Sequence, residues 1–138
     1  MKCLVIGGGF GGLAAIKGLR KADKTVEIVL VEPKEYFEIA WAAYRSVFDE
    51  TTADGSLFDL KAYCESMNVI HSKTVVSKLT SEQATLANGE TVTFDVAVVS
   101  TGSGYKWDAC GRGPPAFGNE SIQARKAILK AEGAKLVD

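Results

Sequence analysis

The chain has few of the residues that usually mark metal or disulfide chemistry. Its 138 residues include one histidine and three cysteines. Cys3, Cys64 and Cys110 are scattered without C-x-x-C spacing, which predicts reduced thiols in a cytosolic protein rather than a disulfide framework. His71 has no cysteine pair near it in the sequence, so we expect no zinc site and no other metal site.

The net charge of the chain is close to zero, and long apolar runs are missing from the sequence. Sixteen basic residues oppose 17 acidic ones, and this near balance argues against a nucleic-acid partner. No apolar run reaches the length of a membrane helix, so we expect a cytoplasmic protein, with peripheral membrane contact left open. The first apolar strand starts almost at Met1, which leaves no room for a signal or transit peptide, and Lys2 excludes N-terminal myristoylation.

What the chain does have is glycine, concentrated near its start. An apolar strand over residues 3–6 runs into the glycine-rich segment 7–12. A helix-like stretch over 13–20 and a second apolar strand over 26–31 follow, and the strand ends on Glu32. Strand, glycines, helix, strand and acid in this order predict a dinucleotide-binding βαβ unit.

Each part of such a unit has a physical task. Gly7 permits a tight turn, Gly9 lets a pyrophosphate approach the backbone, and Gly12 lets the helix pack closely on the sheet. Glu32 can accept hydrogen bonds from both ribose hydroxyls of an adenosine, and its charge favours FAD or NAD over NADP. The alternative is a glycine-rich turn in a βαβ unit that binds nothing.

Three further helices are expected. They cover residues 41–48, 54–65 and 121–132. Ser121 or Asn119 would cap the last helix, and Gly133 would follow its end.

Short strands fill much of the remaining sequence. Buried strands are expected at 69–70 and 75–76, and strand pairs over 79–94, where Asn88-Gly89 predicts a two-residue hairpin turn. Residues 95–100 form a continuous apolar strand, as in a parallel sheet covered on both faces. The order predicts an α/β fold, a Rossmann-like FAD-binding βαβ unit with a β-meander insertion, because a doubly wound dehydrogenase would continue as βαβαβ.

Four segments give the chain a family resemblance. Residues 5–12, 31–37 and 99–102 resemble the pyridine-nucleotide-disulfide oxidoreductase superfamily. Residues 41–47 are similar to the branch of apoptosis-inducing factor 2, also called ferroptosis suppressor protein, beside the type II NADH dehydrogenases. The resemblance implies FAD as cofactor, NAD(P)H as co-substrate and a quinone-like acceptor.

The resemblance also implies a set of cofactor contacts and no catalytic residue. The pyrophosphate would lie against the glycine turn at residues 7–11, and the adenosine ribose would bind Glu32. The adenine would contact Val75, and Thr101-Gly102 would close over the cofactor from the end of the last strand. Arg45 would contact FAD near its phosphates or on its flavin side. The implied contacts are Gly7, Gly8, Gly9, Phe10, Gly11, Gly12, Glu32, Arg45, Val75, Thr101 and Gly102.

Some of these positions have ordinary structural alternatives. Arg45 could be a solvated or snorkelling side chain, and Thr101-Gly102 could be a simple strand-ending turn. The aromatic residues Trp41, Tyr105 and Trp107 could line a flavin or quinone pocket or pack in the core, and Lys34 with Glu35 predicts a solvated turn.

The resemblance also bears on the route of the electrons. Disulfide reductases of the superfamily carry a C-x₄-C pair early in the FAD domain, whereas residues 37–48 contain no cysteine. Transfer from flavin directly to an acceptor is the route that remains.

The predicted organisation is that of a truncated oxidoreductase. Residues 1–118 would form a partial FAD-binding domain, and 119–138 a helix and linker leading toward an absent NAD(P)H domain. The expected function is the FAD-binding part of an NAD(P)H:quinone-type oxidoreductase. The alternative is a non-enzymatic module for the ADP moiety of a nucleotide, or an inactive truncated paralogue. A plain NAD dehydrogenase is disfavoured, because the chain lacks a catalytic histidine, Tyr-x-x-x-Lys or serine constellation.

Overall fold

The computed structural model describes residues 1–39, 41–42, 45, 49–103 and 121–137. The chain forms two compact units, Met1–Lys34 with Leu60–Gly102, and Glu35–Asp59 with Ser103–Asp138. The predicted domain boundary at residues 118 and 119 lies outside the described residues and stays a prediction. Along the chain the described elements are β1 (Lys2–Ile6), α1 (Phe10–Ala22), β2 (Glu27–Val31), β3 (Tyr36–Glu38), α2 (Glu50–Gly55), β4 (Leu57–Asp59), α3 (Leu60–Ser66), β5 (Ile70–Ser72), β6 (Val76–Leu79), β7 (Gln83–Leu86), β8 (Thr91–Thr93), β9 (Val96–Val99) and α4 (Ile122–Val137).

The first unit is built on a parallel sheet with the strand order β5-β2-β1-β9. In the register of this sheet, Cys3 of β1 lies beside Ile28 of β2 and Val96 of β9. Parallel strands need crossover connections, and α1 supplies the one between β1 and β2. The predicted βαβ unit and the α/β fold are therefore confirmed.

Both faces of this sheet are covered, because alternate side chains of each strand point to opposite sides. One face packs against α1 and α3, and the other against the meander strands. The buried residues of the helix-covered face are Cys3, Val5, Ile16, Val26, Ile28, Leu30, Cys64 and Val69. Those of the meander-covered face are Leu4, Ile6, Val29, Val31, Ala84 and Leu86.

The antiparallel sheet β6-β7-β8 confirms the predicted meander but corrects its turn. Thr85 lies opposite Thr91, and the Leu86 N–H donates to the Glu90 carbonyl at 2.8 Å. The connection therefore has three residues, 87–89, rather than two. Gly89, with φ of +88°, donates its N–H to the Leu86 carbonyl at 3.0 Å, so the loop closes one residue earlier than the Asn-Gly signal predicts.

The second unit contains the antiparallel pair of β3 and β4 together with α2 and α4. Tyr36, Leu57 and Leu129 form its buried apolar cluster. Beside them, the Arg125 guanidinium donates to both carboxylate oxygens of Glu38, at 2.8 and 3.1 Å, with only 2% and 4% of the two side chains exposed.

Two helix predictions in this part of the sequence need correction. The helix expected over 54–65 is interrupted, because β4 separates α2 from α3. Leu57 is buried and pairs with Glu38 of β3, so a long-range strand contact overrides the local helical pattern. In the helix expected over 41–48, Trp41, Ala42 and Arg45 adopt 3₁₀ turns, and the other positions lie outside the described residues.

The predicted last helix begins as expected and ends later. The Ser121 side chain caps it by accepting from the Ala124 N–H at 3.2 Å. The helix runs through Gly133 to Val137, since an interior glycine costs only about 1 kcal/mol relative to alanine and need not end a helix.

Strands predicted as buried are partly exposed. Ile70, Val75, Val96 and Val99 have 58%, 47%, 47% and 60% of their surface exposed. β5 and β9 are the outer strands of the sheet within the described residues, so one side of each lacks a neighbouring strand there.

Candidate nucleotide-binding site

A groove of about 490 Å³ opens at the carboxyl ends of β1, β2 and β9, within the first unit. In open α/β sheets, ligands bind outside the carboxyl ends of the strands, at the point where the strand order reverses. The groove is mainly apolar and is lined by Ile6, Gly7, Val31, Glu32, Pro33, Lys34, Thr74, Val75, Val76, Leu79, Val99 and Thr101. Four of the predicted contacts, Gly7, Glu32, Val75 and Thr101, therefore lie around one cavity.

The glycine turn at one end of the groove is fixed by close backbone contacts. Gly7 has a φ of +102° and donates its N–H to the Val31 carbonyl at 3.0 Å. A Cβ on Gly12 would overlap the Gly7 carbonyl oxygen, so the helix can approach the turn only if residue 12 is glycine. The Ser100 hydroxyl lies 3.2 Å from the carbonyl oxygens of both Ile6 and Gly7 and ties β9 to the same turn.

In contrast to Gly7 and Gly12, Gly9 at the start of α1 faces open space. No described heavy atom lies within 4 Å of a Cβ built on Gly9. Gly9 gives α1 no side-chain cap, and the described first turn of the helix contains no acidic residue. The partial positive charge of a helix N-terminus is thus presented to open space, which suits a phosphate. Phe10 is half exposed beside it, and a Cβ on Gly11 would lie 3.2 Å from the Ser100 Cβ.

Glu32 follows β2 and has both of its carboxylate oxygens held by backbone donors. The Gly8 N–H donates to Oε2 at 2.7 Å, and the Lys34 N–H donates to Oε1 at 3.0 Å. A carboxylate oxygen can accept more than one hydrogen bond, so each oxygen keeps capacity for a ligand hydroxyl. This geometry orients the carboxylate as a pair of acceptors for a diol.

The backbone of Glu32 is held as firmly as its side chain. Its N–H donates to the Ser72 carbonyl at 3.2 Å, and its carbonyl lies 3.0 Å from Nε2 of His71. Because a carbonyl oxygen only accepts, Nε2 of His71 carries the proton of this bond. β5 therefore fixes the position from which Glu32 reaches the groove.

The other side of the groove is an apolar wall. Val75, Val76, Leu79 and Val99 contribute to it, and the Val75 carbonyl already accepts the Ala87 N–H at 2.9 Å. The Val75 side chain is half exposed toward solvent. An apolar wall of this kind can pack against one face of a flat ring such as a purine base.

Other predicted contacts lie apart from this groove lining or outside the described residues. Gly102, with φ of +72°, follows Thr101 and is exposed. Arg45 belongs to the second unit and its side chain is exposed, so its predicted cofactor contact stays a prediction. Trp41 is 64% exposed, which contradicts core packing, whereas Tyr105 and Trp107 lie outside the described residues.

Sequence reasoning missed three groups of this site. Ser100 supports the glycine turn, His71 holds the Glu32 carbonyl, and Lys34, predicted as a solvated turn, supplies an N–H to the carboxylate. A hydroxyl residue at the end of an apolar strand, directly before Thr-Gly, was an available signal for Ser100. The other two contacts depend on backbone groups, which leave no mark in the sequence.

The described residues were also compared with the requirements of a metal site and of a membrane-spanning helix. Within them, no group of three or more His, Cys, Asp or Glu side chains is placed to hold a metal ion. None of the helices in this part of the chain combines the length and apolar character that crossing a bilayer requires.

Comparison with known proteins agrees with the fold. The flavoprotein chain of sulfide dehydrogenase (flavocytochrome c) from Chlorobaculum thiosulfatiphilum is 50% identical over 36 residues, which are 26% of this chain and 75% of that sequence. The sulfide:quinone oxidoreductase of Aquifex aeolicus superposes with a TM-score of 0.71 at 19% identity, covering 96% of this chain and 32% of that one. For NDH2 of Plasmodium falciparum the TM-score is 0.65 at 12% identity, covering 94% and 28%.

This chain therefore spans about a third of the length of these solved structures. The sequence pattern of the family described as pyridine nucleotide-disulphide oxidoreductase matches residues 1–136. Members of that family are FAD flavoproteins that use NAD(P)H as co-substrate. Nearly the whole chain fits the pattern, and the resemblance seen in the glycine turn and in residues 99–102 is confirmed: the protein belongs to the pyridine nucleotide-disulphide oxidoreductase family.

Proposed function

We propose that this chain is the FAD-binding part of an NAD(P)H oxidoreductase. The observation that carries the proposal is the Glu32 carboxylate, held by the Gly8 and Lys34 N–H groups at the edge of the groove. On one side of it the glycine turn offers an open helix N-terminus at Gly9, and on the other lies the apolar wall at Val75. Phosphate, ribose and adenine require these three environments in this order.

The residues present fit the ADP end of FAD. The turn from Gly7 to Gly12, with Phe10 at the helix start, would hold the pyrophosphate, and Glu32 the ribose hydroxyls. Val75 would pack on the adenine, while Thr101 and Gly102 would close over the cofactor from the end of β9. When bound, FAD supplies the capacity to accept a hydride and pass electrons on. The chain's own residues supply binding and orientation.

A quinone-type acceptor and the apoptosis-inducing factor 2 branch are finer parts of the proposal. They are supported by the similarity of residues 41–47 to that branch, and by the structural likeness to a sulfide:quinone oxidoreductase. In this proposal Arg45 contacts the cofactor, and electrons leave the flavin without a redox disulfide, since residues 37–48 contain no cysteine. Within the described residues Cys3 and Cys64 form no disulfide, which supports a cytoplasmic location.

A second candidate is a module that binds only the ADP moiety. It is favoured by the groove itself, because every feature assigned above suits phosphate, ribose or adenine. Titration of the purified chain with FAD, ADP and NAD separates the two functions. Tighter binding of FAD, seen as a yellow protein with quenched flavin fluorescence, supports the FAD-binding part. Equal affinity for all three ligands supports the module.

The role of Glu32 is tested by Glu32→Ala, with Glu27→Ala as the matched control at the opposite end of β2. Hydrogen bonds to a charged group contribute about 1.5–3 kcal/mol, so Glu32→Ala should weaken ADP binding at least about tenfold. Glu27 makes a partly exposed ion pair with Lys2 at 2.9 Å, and its loss should leave ADP affinity unchanged. A folded wild-type chain that takes up neither FAD nor ADP would overturn the proposed function.

A further inference from the structure

Gly8 is buried in the glycine turn but is not one of the three glycines of the G-x-G-x-x-G pattern. Its N–H donates to Oε2 of Glu32 at 2.7 Å. A Cβ on Gly8 would lie 2.8 Å from Cγ and 3.2 Å from Cβ of Glu32, and 3.2 Å from Cδ1 of Leu60. Gly8 therefore contacts Glu32 through its backbone N–H, and the Glu32 side chain occupies the space that a side chain on residue 8 would fill.

Backbone conformation does not require glycine at this position. The φ of Gly8 lies outside the left-handed range, in contrast to the +102° of Gly7. What excludes a side chain is the neighbourhood. Leu60 is 1% exposed and packed in the core, so the Glu32 side chain is the group that must move if a Cβ is added.

We propose that Gly8 is a positioning residue that makes this site select ribonucleotides over 2′-deoxyribonucleotides. The inference rests on the proposed nucleotide binding and goes beyond it by naming what sets sugar specificity. Oε1 and Oε2 of Glu32 each have one backbone donor, so the hydroxyls of a ribose diol can each add one further bond. A 2′-deoxyribose leaves one of these bonds unmade.

The space at Gly8 couples this specificity to the glycine turn. A displaced Glu32 loses its donor on the turn and its alignment with the diol, while Gly9 and the start of α1 still face the phosphates. An alanine at position 8 should therefore weaken recognition of the 2′-hydroxyl much more than recognition of the diphosphate.

The experiment measures the affinities of ADP and 2′-deoxy-ADP by calorimetry for wild type, Gly8→Ala and Gly18→Ala. The wild-type chain should prefer ADP about tenfold, as expected for one hydrogen bond to a charged group. Gly8→Ala should lower ADP affinity about tenfold and bring the ratio close to one, with 2′-deoxy-ADP little affected. Gly18→Ala should keep the wild-type ratio, because a Cβ on Gly18 meets no described heavy atom within 4 Å.

Each other outcome has a distinct meaning. If folded wild type binds neither ADP nor FAD, the proposed function is overturned and this inference with it; if it binds FAD but not ADP, this inference alone is overturned. A Gly8→Ala chain that keeps the tenfold ratio, or loses both ligands equally, overturns the positioning role and leaves nucleotide binding standing.

A second measurement covers the case in which Gly8→Ala does not fold. Amide exchange of Gly8 is compared between wild type and Glu32→Ala by NMR, with Gly11 as the reference amide. Exchange at Gly8 should rise at least about tenfold when its acceptor is removed, since one such bond contributes more than about 1.4 kcal/mol. Equal exchange in the two proteins overturns the inference.

Discussion

Replacing Gly12 by alanine should destabilise the fold, although alanine is the better helix former. The added Cβ would overlap the carbonyl oxygen of Gly7 and lie 3.0 Å from Oγ of Ser100. Gly7 cannot easily retreat, because its N–H is bonded to the Val31 carbonyl at 3.0 Å. Relief therefore requires that α1 move away from the sheet or that the turn give up its hydrogen bond.

The size of the effect follows from three opposing contributions. Overpacking against backbone costs about 1–3 kcal/mol, and loss of the Gly7 hydrogen bond about 1 kcal/mol. The gain in helix propensity from glycine to alanine offsets about 1 kcal/mol. The free energy of unfolding should therefore fall by about 1–3 kcal/mol, a decrease of roughly 3–12 °C in Tm for a chain of this size.

Urea unfolding followed by circular dichroism measures this change, with Gly18→Ala as the control in the same helix. Gly18→Ala adds its Cβ to open space and should raise stability by up to about 1 kcal/mol. Equal midpoints for the two variants would refute the reasoning, because they would show that the turn yields to a side chain at residue 12 without cost.

Three further predictions concern separate parts of the molecule. Gly9→Ala should change the free energy of unfolding by less than about 1 kcal/mol. It should weaken ADP binding, measured by calorimetry, at least about tenfold, because the added Cβ enters the open space before α1. Unchanged ADP affinity would contradict phosphate binding at this position. Arg125→Met should lower the free energy of unfolding, measured in urea, by about 3–5 kcal/mol, because it leaves the buried Glu38 carboxylate without its guanidinium partner. The double variant Arg125→Met with Glu38→Met should recover much of this loss. Equal stability of the single and double variants would argue against the ion pair. The hydrogen bond and charge of Lys126, with the charge of Lys130, lower the pKa of Asp54 below its ordinary 3.8, so its contribution is present above that value and lost as pH falls through the lowered pKa. Thermal unfolding of Asp54→Asn should therefore lose less stability than wild type on acidification below about pH 4, and parallel curves would show that this cluster is not coupled to folding.

The part of the fold that sequence predicts well is the part decided by local signals. Residues 1–32 combine two apolar strands, a glycine turn and a helix between them, and the structure has β1, α1 and β2 there. Each element carries its own pattern, and the glycines fix where one ends and the next begins. The edge where Gly7 and Glu32 meet also follows, because parallel strands bring their carboxyl ends together.

Prediction fails where a contact between distant residues decides the structure. Leu57 and Phe58 fit a helical pattern locally, yet they form β4 because they pair with β3, about 20 residues earlier in the chain. The hairpin at 87–89 gains a residue for a related reason, since the register of β7 on β8 sets the loop length. Neither the pairing nor the register can be read from the segments alone.

The candidate site divides in the same way. Three side chains of the groove were predictable, Glu32 and Thr101 because they follow strands and Val75 from the family resemblance. The backbone N–H groups of Gly8 and Lys34 were not, although they decide where the Glu32 carboxylate points. Sequence identifies which groups a ligand needs, and the fold determines which backbone donors hold them in place.

These backbone contacts connect the two parts of the groove that are proposed to hold ribose and phosphate. Gly7 bonds to β2, Gly8 to the carboxylate that follows β2, and Ser100 links β9 to the Gly7 carbonyl. Groups held in this way before a ligand arrives lose little freedom on binding, so a small site can still bind a nucleotide tightly. It also follows that neighbouring glycines have separable functions. A side chain at residue 12 should strain the fold, one at residue 9 should block the ligand, and one at residue 8 should displace the acid. Three variants within five residues should therefore be distinguishable, by a loss of stability at residue 12, of affinity for ADP and 2′-deoxy-ADP alike at residue 9, and of the preference for ADP at residue 8.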